Sequence, residues 1–458
     1  MDAALFTARE LAAACNGSWQ NGTPEGTFKL NTDSRTIQGG ECFIPIVGER
    51  FDGHNFLTSL PAGCIALAEK GRAVPDDIPI LLVENTTLAY QQIASFHRQK
   101  MHNLTVVGVT GSVGKTSVKE MLRAIFTEAA GADAVVYTLG NTNNQIGVPQ
   151  NLLRLTPQTR YAVIEMGTNH HGEIAPLSAA ALPDAALINT IAACHLENLG
   201  DLDGVAKEKS AIFSGMTASD ALAVYPADCA GYDIIENAAQ NFRKLRFGAD
   251  GDVTARYLNG SLNGSEVELS FNLLNKKVSF SWELTGEHQA ANAAAAAALA
   301  SGLGIAPEVI ARGLSRTQLP GKRMKSEVVN GTTWINDAYN ANPQSMQSSL
   351  QCIAENSAGT PLLLVLGDML ELGAEEIAYH AAVLDKTEQL FAKHNYTLFL
   401  LGERFKKALQ LRTDIPGNWR TFDSLDAVRS AIIEHRQAGM TIYLKSSNGI
   451  GLGKIEPC

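Results

Sequence analysis

Leu104-Thr105-Val106-Val107-Gly108-Val109-Thr110-Gly111-Ser112-Val113-Gly114-Lys115-Thr116-Ser117 decides the fold. An apolar, β-branched run is followed by a turn of small residues, and then by Val118, Met121, Leu122, Ile125 and Phe126. Those last positions share one face of a helix. A strand, a glycine-rich turn and a helix in that order form a phosphate loop. Backbone N–H groups close around phosphate oxygens, and the helix directs its positive end at them. Lys115 is placed for the β and γ phosphates and the Thr116 hydroxyl for Mg²⁺. The usual G-x-x-x-x-G-K-[ST] pattern places its first glycine where this chain has Val109.

Outward from the loop, strands alternate with helices. Apolar strands are predicted at Tyr161–Met166 and Ala185–Thr190, the rhythm of a parallel sheet covered by helices. Residues 250–283 change to short alternating strands with Asn259-Gly260 and Asn263-Gly264 read as turns, and a helix follows over Glu287–Gly302. Before the loop, Thr7-Ala8-Arg9-Glu10 fits a capping box, with Phe6 and Leu11 as a hydrophobic staple. Short strands follow at 42–46, 64–68 and 80–83, then a helix over about 87–97. Strands at Thr333–Asn336, Leu362–Leu366, Leu398–Leu401 and Thr441–Leu444 begin a further α/β unit. The fold class is therefore α/β in three domains. A small N-terminal α/β domain spans 1–100, a central phosphate-loop domain with a parallel sheet spans 101–316, and a C-terminal Rossmann-like domain spans 317–458.

Composition agrees with a folded chain of 458 residues, about three domains at ~150 residues each. Lys and Arg number 37 against 47 Asp and Glu, a net charge of −10, which disfavours nucleic acid as a partner. Seven cysteines without a C-x-x-C pair argue against a disulfide framework and a cysteine-rich zinc site. Asp2, Arg9 and Glu10 interrupt any signal-peptide core, and no apolar run reaches ~18 residues. A cytoplasmic protein without a membrane span is expected.

Three further residues are candidates for chemistry. Glu165 ends an apolar strand, where the ligand crevice of a parallel sheet lies, and a carboxylate there suits Mg²⁺. His195 follows the next strand, at the same crevice. Lys209 lies on the helix after it; Lys207 and Lys209 cannot share a helical face, so at most one points into the site.

Together these residues resemble the Mur ligase family, the ATP-dependent amide-forming enzymes of peptidoglycan precursor synthesis. The shifted phosphate loop, Glu165-Met166-Gly167, His195-Leu196-Glu197 and Lys209 with Ile212-Phe213 carry the resemblance. So do Gly286 to Asn292, Arg323 in Pro320-Gly321-Lys322-Arg323-Met324, and Asp337 in Asn336 to Pro343. The resemblance implies ATP contacts from Gly111, Ser112, Val113, Gly114, Lys115, Thr116, Ser117, Asn292, Arg323 and Asp337. It implies Mg²⁺ held by Thr116, Glu165, His195 and Lys209, the lysine being N-carbamylated, with Lys115, Lys209 and His195 catalytic. Two Mg²⁺ ions beside ATP call for more anionic charge than Glu165 supplies, which a carbamate on Lys209 would add.

Thr32 to Arg35 with Cys42 to Pro45, Phe51 to Phe56, Asn141 to Pro149, Asp337 to Pro343 and Leu366 to Gly373 narrow what the resemblance implies. It then implies UDP-N-acetylmuramoyl-tripeptide and D-alanyl-D-alanine as substrates, joined through an acyl phosphate in the last cytoplasmic step of precursor synthesis. Ser34, Arg35, Asn143, Asn144, Tyr339 and Asn340 are the implied substrate contacts, Ser34 and Arg35 at the UDP end. A monomer is expected. Where the family usually has Lys-Gly-Ser-Arg near the C-terminus, this chain has Lys445-Ser446-Ser447-Asn448. The sequence alone leaves open another ligase of the same fold, or a phosphate-loop regulatory switch.

Overall fold

The computed structural model describes residues 4–48, 51–321, 323–357 and 359–457. Lys322 of the Gly321-Lys322-Arg323 stretch lies outside them, as do Asp2 and Cys458. The chain builds three large sheets in succession, each with its own apolar core, and a small two-stranded pair of Val47–Gly48 with Phe51–Asp52.

The first sheet has six strands, ordered Leu5–Thr7, Thr27–Asn31, Glu41–Phe43, Ile65–Glu69, Ile80–Val83, Ser18–Gln20. Its inner pairs are parallel and its two edge strands antiparallel. The helix Ala8–Cys15 starts at the expected capping box: Thr7 accepts from the Glu10 amide, and the Glu10 carboxylate accepts from the Thr7 amide at 2.8 Å. Phe6 and Leu11 are both buried. The helix Thr86–Gln99 joins two layers, setting Ala89, Tyr90 and Ile93 in this core and Ala94 in the next.

The second sheet has nine strands. From one edge these are Val135–Tyr137, Tyr161–Glu165, Thr105–Thr110, Ala185–Ile188, Leu222–Pro226, Arg243–Phe247, Val253–Ser261, Gly264–Phe271 and Lys276–Trp282. All pairs are parallel up to Val253–Ser261, and the last two are antiparallel. The strand order reverses at Thr105–Thr110, which makes the end of that strand the topological switch point, where a ligand crevice forms. Register sets Glu165 opposite Val109, and Ile188 opposite Thr110. Side chains alternate between two cores. Val107, Val109 and Val163 face the phosphate-loop helix Lys115–Ala130 and the helix Glu287–Gly302, whereas Val106, Ala162 and Ile164 face the opposite layer. The run of buried alanines from Ala293 to Ala298 lets the second of these helices lie close against its neighbours.

Two local expectations change. Asn263-Gly264 does sit at a hairpin turn, but Asn259-Gly260 lies inside the strand Val253–Ser261, where the register shifts between Tyr257 and Asn259. The Tyr257 hydroxyl fills the space that a side chain at 260 would take. The sequence reading also missed Val135–Tyr137, Leu222–Pro226 and Arg243–Phe247 in this sheet.

The third sheet runs Lys325–Val329, Thr332–Asn336, Thr441–Lys445, Leu362–Gly367, Tyr396–Leu401, Trp419–Phe422. It is parallel except for its first strand. The four expected strands form its interior. The two unexpected ones are its edges, where exposure permits the polar sequences Lys325-Ser326-Glu327 and Arg420-Thr421 that hid them. Among the described residues the six cysteines are all free and all but Cys229 are buried. None of the described helices is long and apolar enough to cross a membrane.

Candidate functional site

The strand ends of the second and third sheets enclose a cavity of about 850 Å³. The phosphate loop from Ser112 to Ser117 forms one wall, with Asn143, Glu165, Asn189 and Thr190 beside it. The start of the helix Glu287–Gly302 and Arg323, Asp337, Tyr339, Asn340 and Lys445 of the third unit close it.

The loop's shape comes from its glycines and from the neighbouring strand end. Gly114 has φ +79°, and a Cβ there would strike the side-chain amides of Asn189 and Asn292. Asn189 donates to the Val113 carbonyl at 2.9 Å and to Asn292 Oδ1 at 2.8 Å. Thr190 Oγ1 accepts from the Val113 amide at 2.8 Å. The loop is thus braced by Asn189-Thr190, a pair that the sequence reading did not single out although it closes the predicted strand Ala185–Thr190 and directly follows the observed one, Ala185–Ile188. Lys115 donates across the loop to the Gly111 carbonyl at 2.6 Å.

Glu165 is buried at the strand end beside the loop. Thr116 Oγ1 lies 3.2 and 3.0 Å from its two carboxylate oxygens, and Asn143 Nδ2 donates to it at 2.9 Å. The Glu165 amide donates to Thr138 Oγ1 at 2.9 Å, which fixes the end of the strand. Arg323 reaches the same hydroxyl, donating to Thr116 Oγ1 at 3.2 Å while its guanidinium stacks 3.8 Å from the Tyr339 ring.

Lys209 and His195 lie outside the lining of the cavity itself. Lys209 is 1% exposed while Lys207 on the same helix is exposed, the either/or that helical geometry demands. Burial lowers the Lys209 ammonium pKa to about 8. The adjacent Glu208 is committed elsewhere, accepting from the Gly172, Glu173 and Ile174 amides. His195 has its pKa lowered, chiefly by burial, with Lys115 and Lys209 acting in the same direction and Glu371 opposing them. Its Nδ1 lies 2.5 Å from Glu371 Oε2 of the third unit.

Oxygen donors at Thr116 and Glu165 suit a hard divalent cation. Among the described residues no three His, Cys, Asp or Glu side chains gather as a metal cluster. The expected set holds only two of those types, Glu165 and His195, and would be completed by the hydroxyl and by a carbamate on Lys209.

Asp337 lines the cavity, but its carboxylate is already engaged. Lys445 donates to it at 2.6 Å, Ser349 at 2.8 Å and Tyr443 at 3.1 Å. Lys445, from the Lys445-Ser446-Ser447-Asn448 stretch, is therefore a buried partner of Asp337. His288 also lines the cavity, and burial lowers its pKa to about 4, so the ring is neutral at pH 7.

Three expected substrate residues are not brought to this cavity. Asn144 accepts from the Ile146 and Gly147 amides at 3.2 and 2.9 Å and so opens the helix Gly147–Leu152. Ser34 and Arg35 sit on the first sheet's surface. Arg35 is 86% exposed and forks onto Asp33 at 2.8 and 2.7 Å, holding that carboxylate at about 2. His54 is buried too, between Asp52 and the Glu69 amide, which donates to its Nε2 at 3.1 Å.

Fold and site together define a phosphate-loop enzyme in which a nucleotide pocket is closed by a second α/β unit. The chain belongs to the Mur ligase family: residues 109–300 match the Mur ligase middle domain, and residues 322–448 match the Mur ligase, glutamate ligase domain. It is 39% identical over 381 residues to the UDP-N-acetylmuramoyl-tripeptide–D-alanyl-D-alanine ligase of Escherichia coli strain K12, covering 82% of each chain. Its structure matches a crystal structure of MurF from Acinetobacter baumannii with a TM-score of 0.90 at 31% identity, over 99% of this chain and 98% of that one. It shares its fold with MurF of Thermotoga maritima, solved in complex with ADP, at a TM-score of 0.80 and 23% identity, over 93% and 96% of the two chains.

Proposed function

We propose that this chain is an ATP-dependent ligase that joins D-alanyl-D-alanine to UDP-N-acetylmuramoyl-tripeptide, the last cytoplasmic step of peptidoglycan precursor synthesis. The observation that carries the reading is the buried contact between Thr116 of the phosphate loop and Glu165, in a cavity walled by both the second and third sheets. The likeness to named ligases over most of the chain supports the choice of substrates.

A carboxylate oxygen is a poor leaving group, so amide formation needs activation. The tripeptide's terminal carboxylate attacks the γ phosphate of ATP, releasing ADP and leaving an acyl phosphate. The amine of D-alanyl-D-alanine attacks that carbonyl and expels inorganic phosphate. Lys115 supplies positive charge to the transferring phosphoryl group, and loop amides hold the phosphates. Arg323, stacked on Tyr339, adds a second cation beside Thr116. Thr116, Glu165, His195 and carbamylated Lys209 would hold Mg²⁺, which neutralises phosphate charge. The third unit covers the site and excludes water from the acyl phosphate.

Residues 1–100, with Ser34 and Arg35, bind the UDP end in this account. Residues 101–316 bind ATP, and residues 317–458 present the dipeptide, with Tyr339 and Asn340 at the cavity wall. The test is ADP release with ATP, Mg²⁺ and each substrate alone or together. Continuous ADP release over many turnovers that requires both the UDP-tripeptide and D-alanyl-D-alanine, with a new amide product, supports the reading. Release without either of them, or with a folate substrate instead, overturns it.

A further inference from the structure

We infer that Glu371 of the third unit is a positioning residue for His195 of the second: its carboxylate fixes the tautomer and orientation of the imidazole, so that His195 is set only when the third unit is seated. The inference relies on the ligase reading for what His195 then does, and the contact stands apart from it.

Both ends of this contact are built with unusual backbone. His195 has φ +52° and Glu371 φ +64°, two of the eight non-glycine residues in the left-handed region among those described. Four of the other six are asparagines, which tolerate that region; a glutamate has no such local compensation. Such a conformation persists where the surroundings over-determine it.

Here they do. Met369 and Leu372, on either side of Glu371, are buried in the core of the third unit. The Met369 amide donates to His380 Nε2 at 2.9 Å, and the Leu370 amide donates to Ser447 Oγ at 3.0 Å. On the facing side, the His195 carbonyl accepts from the Asn198 and Leu199 amides at 3.0 and 2.9 Å. Two anchored segments thus meet at this side-chain pair, at 2.5 Å.

An ionised carboxylate can only accept, so a neutral His195 must carry its proton on Nδ1, and Nε2 keeps its lone pair. That is the form in which an imidazole binds a cation, and partners of this kind typically change affinity or activity by about 10- to 100-fold when removed.

The test compares the wild-type protein with Glu371→Ala and Glu371→Asp. Histidine-labelled ¹⁵N spectra at pH 8.5, with His195 assigned from His195→Gln, read the tautomer without substrate or metal. The wild type is expected to hold Nδ1–H, Glu371→Ala to move toward Nε2–H, and Glu371→Asp to restore part of the difference. Turnover of Glu371→Ala should fall about 10- to 100-fold, with KM for ATP and for UDP-tripeptide within about twofold of wild type. An unchanged tautomer, or a changed tautomer with unchanged turnover, overturns the inference. A wild type without ligase turnover would reject the ligase reading instead, and the spectra would still decide the contact.

Discussion

Thr116 Oγ1 and the carboxylate of Glu165 meet at 3.0 and 3.2 Å inside the protein, joining the phosphate loop to the end of the neighbouring strand. The pair makes a hard-oxygen corner where phosphate charge would gather. Glu165→Gln keeps the volume and a hydrogen-bonding group but removes the charge. Turnover is expected to fall about 10²- to 10³-fold, the usual cost of deleting one group that stabilises transition-state charge. The melting temperature should hold or rise, because a buried carboxylate becomes a neutral amide. ADP release and thermal melts check both halves.

Gly114→Ala should lose nucleotide binding. The new Cβ would meet Asn189 and Asn292 at a backbone angle that alanine disfavours. The loop must shift, at a cost of roughly 1–3 kcal/mol. Titration with a fluorescent ADP analogue should show at least tenfold weaker binding. Affinity equal to wild type would remove the loop from the phosphate site.

Unmodified Lys209 couples stability to pH. Its folded value of about 8 lies below the unfolded 10.5, so between these the unfolded state binds more protons. Stability from this group therefore rises as pH rises from about 8 to 10.5, and below 8 the full penalty applies, about 3 kcal/mol. Lys209→Met should raise the melting temperature at pH 7, and the gain should shrink by pH 10. The same variant should lose most turnover.

The lowered pKa also supports carbamylation. At pH 7 roughly one lysine in ten would be neutral, against fewer than one in a thousand for an ordinary lysine. Lys209→Ala should be severely impaired and partly rescued by acetate or formate. Full activity without rescue would exclude the carbamate, and loss at Lys207→Ala instead would move the role to an exposed side chain.

Arg35 leads to a separate prediction. Its fork is occupied by Asp33, so binding pyrophosphate requires exchanging one anion for another. Arg35→Ala should raise KM for the UDP-tripeptide several-fold and leave KM for ATP within about twofold. Equal rises in both would place Arg35 outside the UDP end.

The parts of the candidate site that are legible in the sequence are those with local rules. The phosphate loop needs its glycines in sequence, Glu165 ends a strand that a βαβ rhythm locates, and His195 follows the next strand, Ala185–Ile188, by seven residues. Helical spacing separates Lys209 from Lys207. What stayed hidden depends on pairings made across the fold. Nothing near Asn144 says that its side chain opens a helix, and nothing near Lys445 says that it meets Asp337, 108 residues away. Glu371 reaches His195 across 176 residues. The edge strands Lys325–Val329 and Trp419–Phe422 lack an apolar alternation because most of their side chains, on both faces, are exposed.

In the proposed reaction ATP activates the tripeptide carboxylate before the amine attacks. Both oxygens of that carboxylate can be replaced with ¹⁸O and the inorganic phosphate analysed by mass spectrometry after one round of ligation. One ¹⁸O atom is expected in each phosphate released, carried from the carboxylate through the acyl phosphate. Phosphate free of ¹⁸O, formed alongside the amide product, would contradict it.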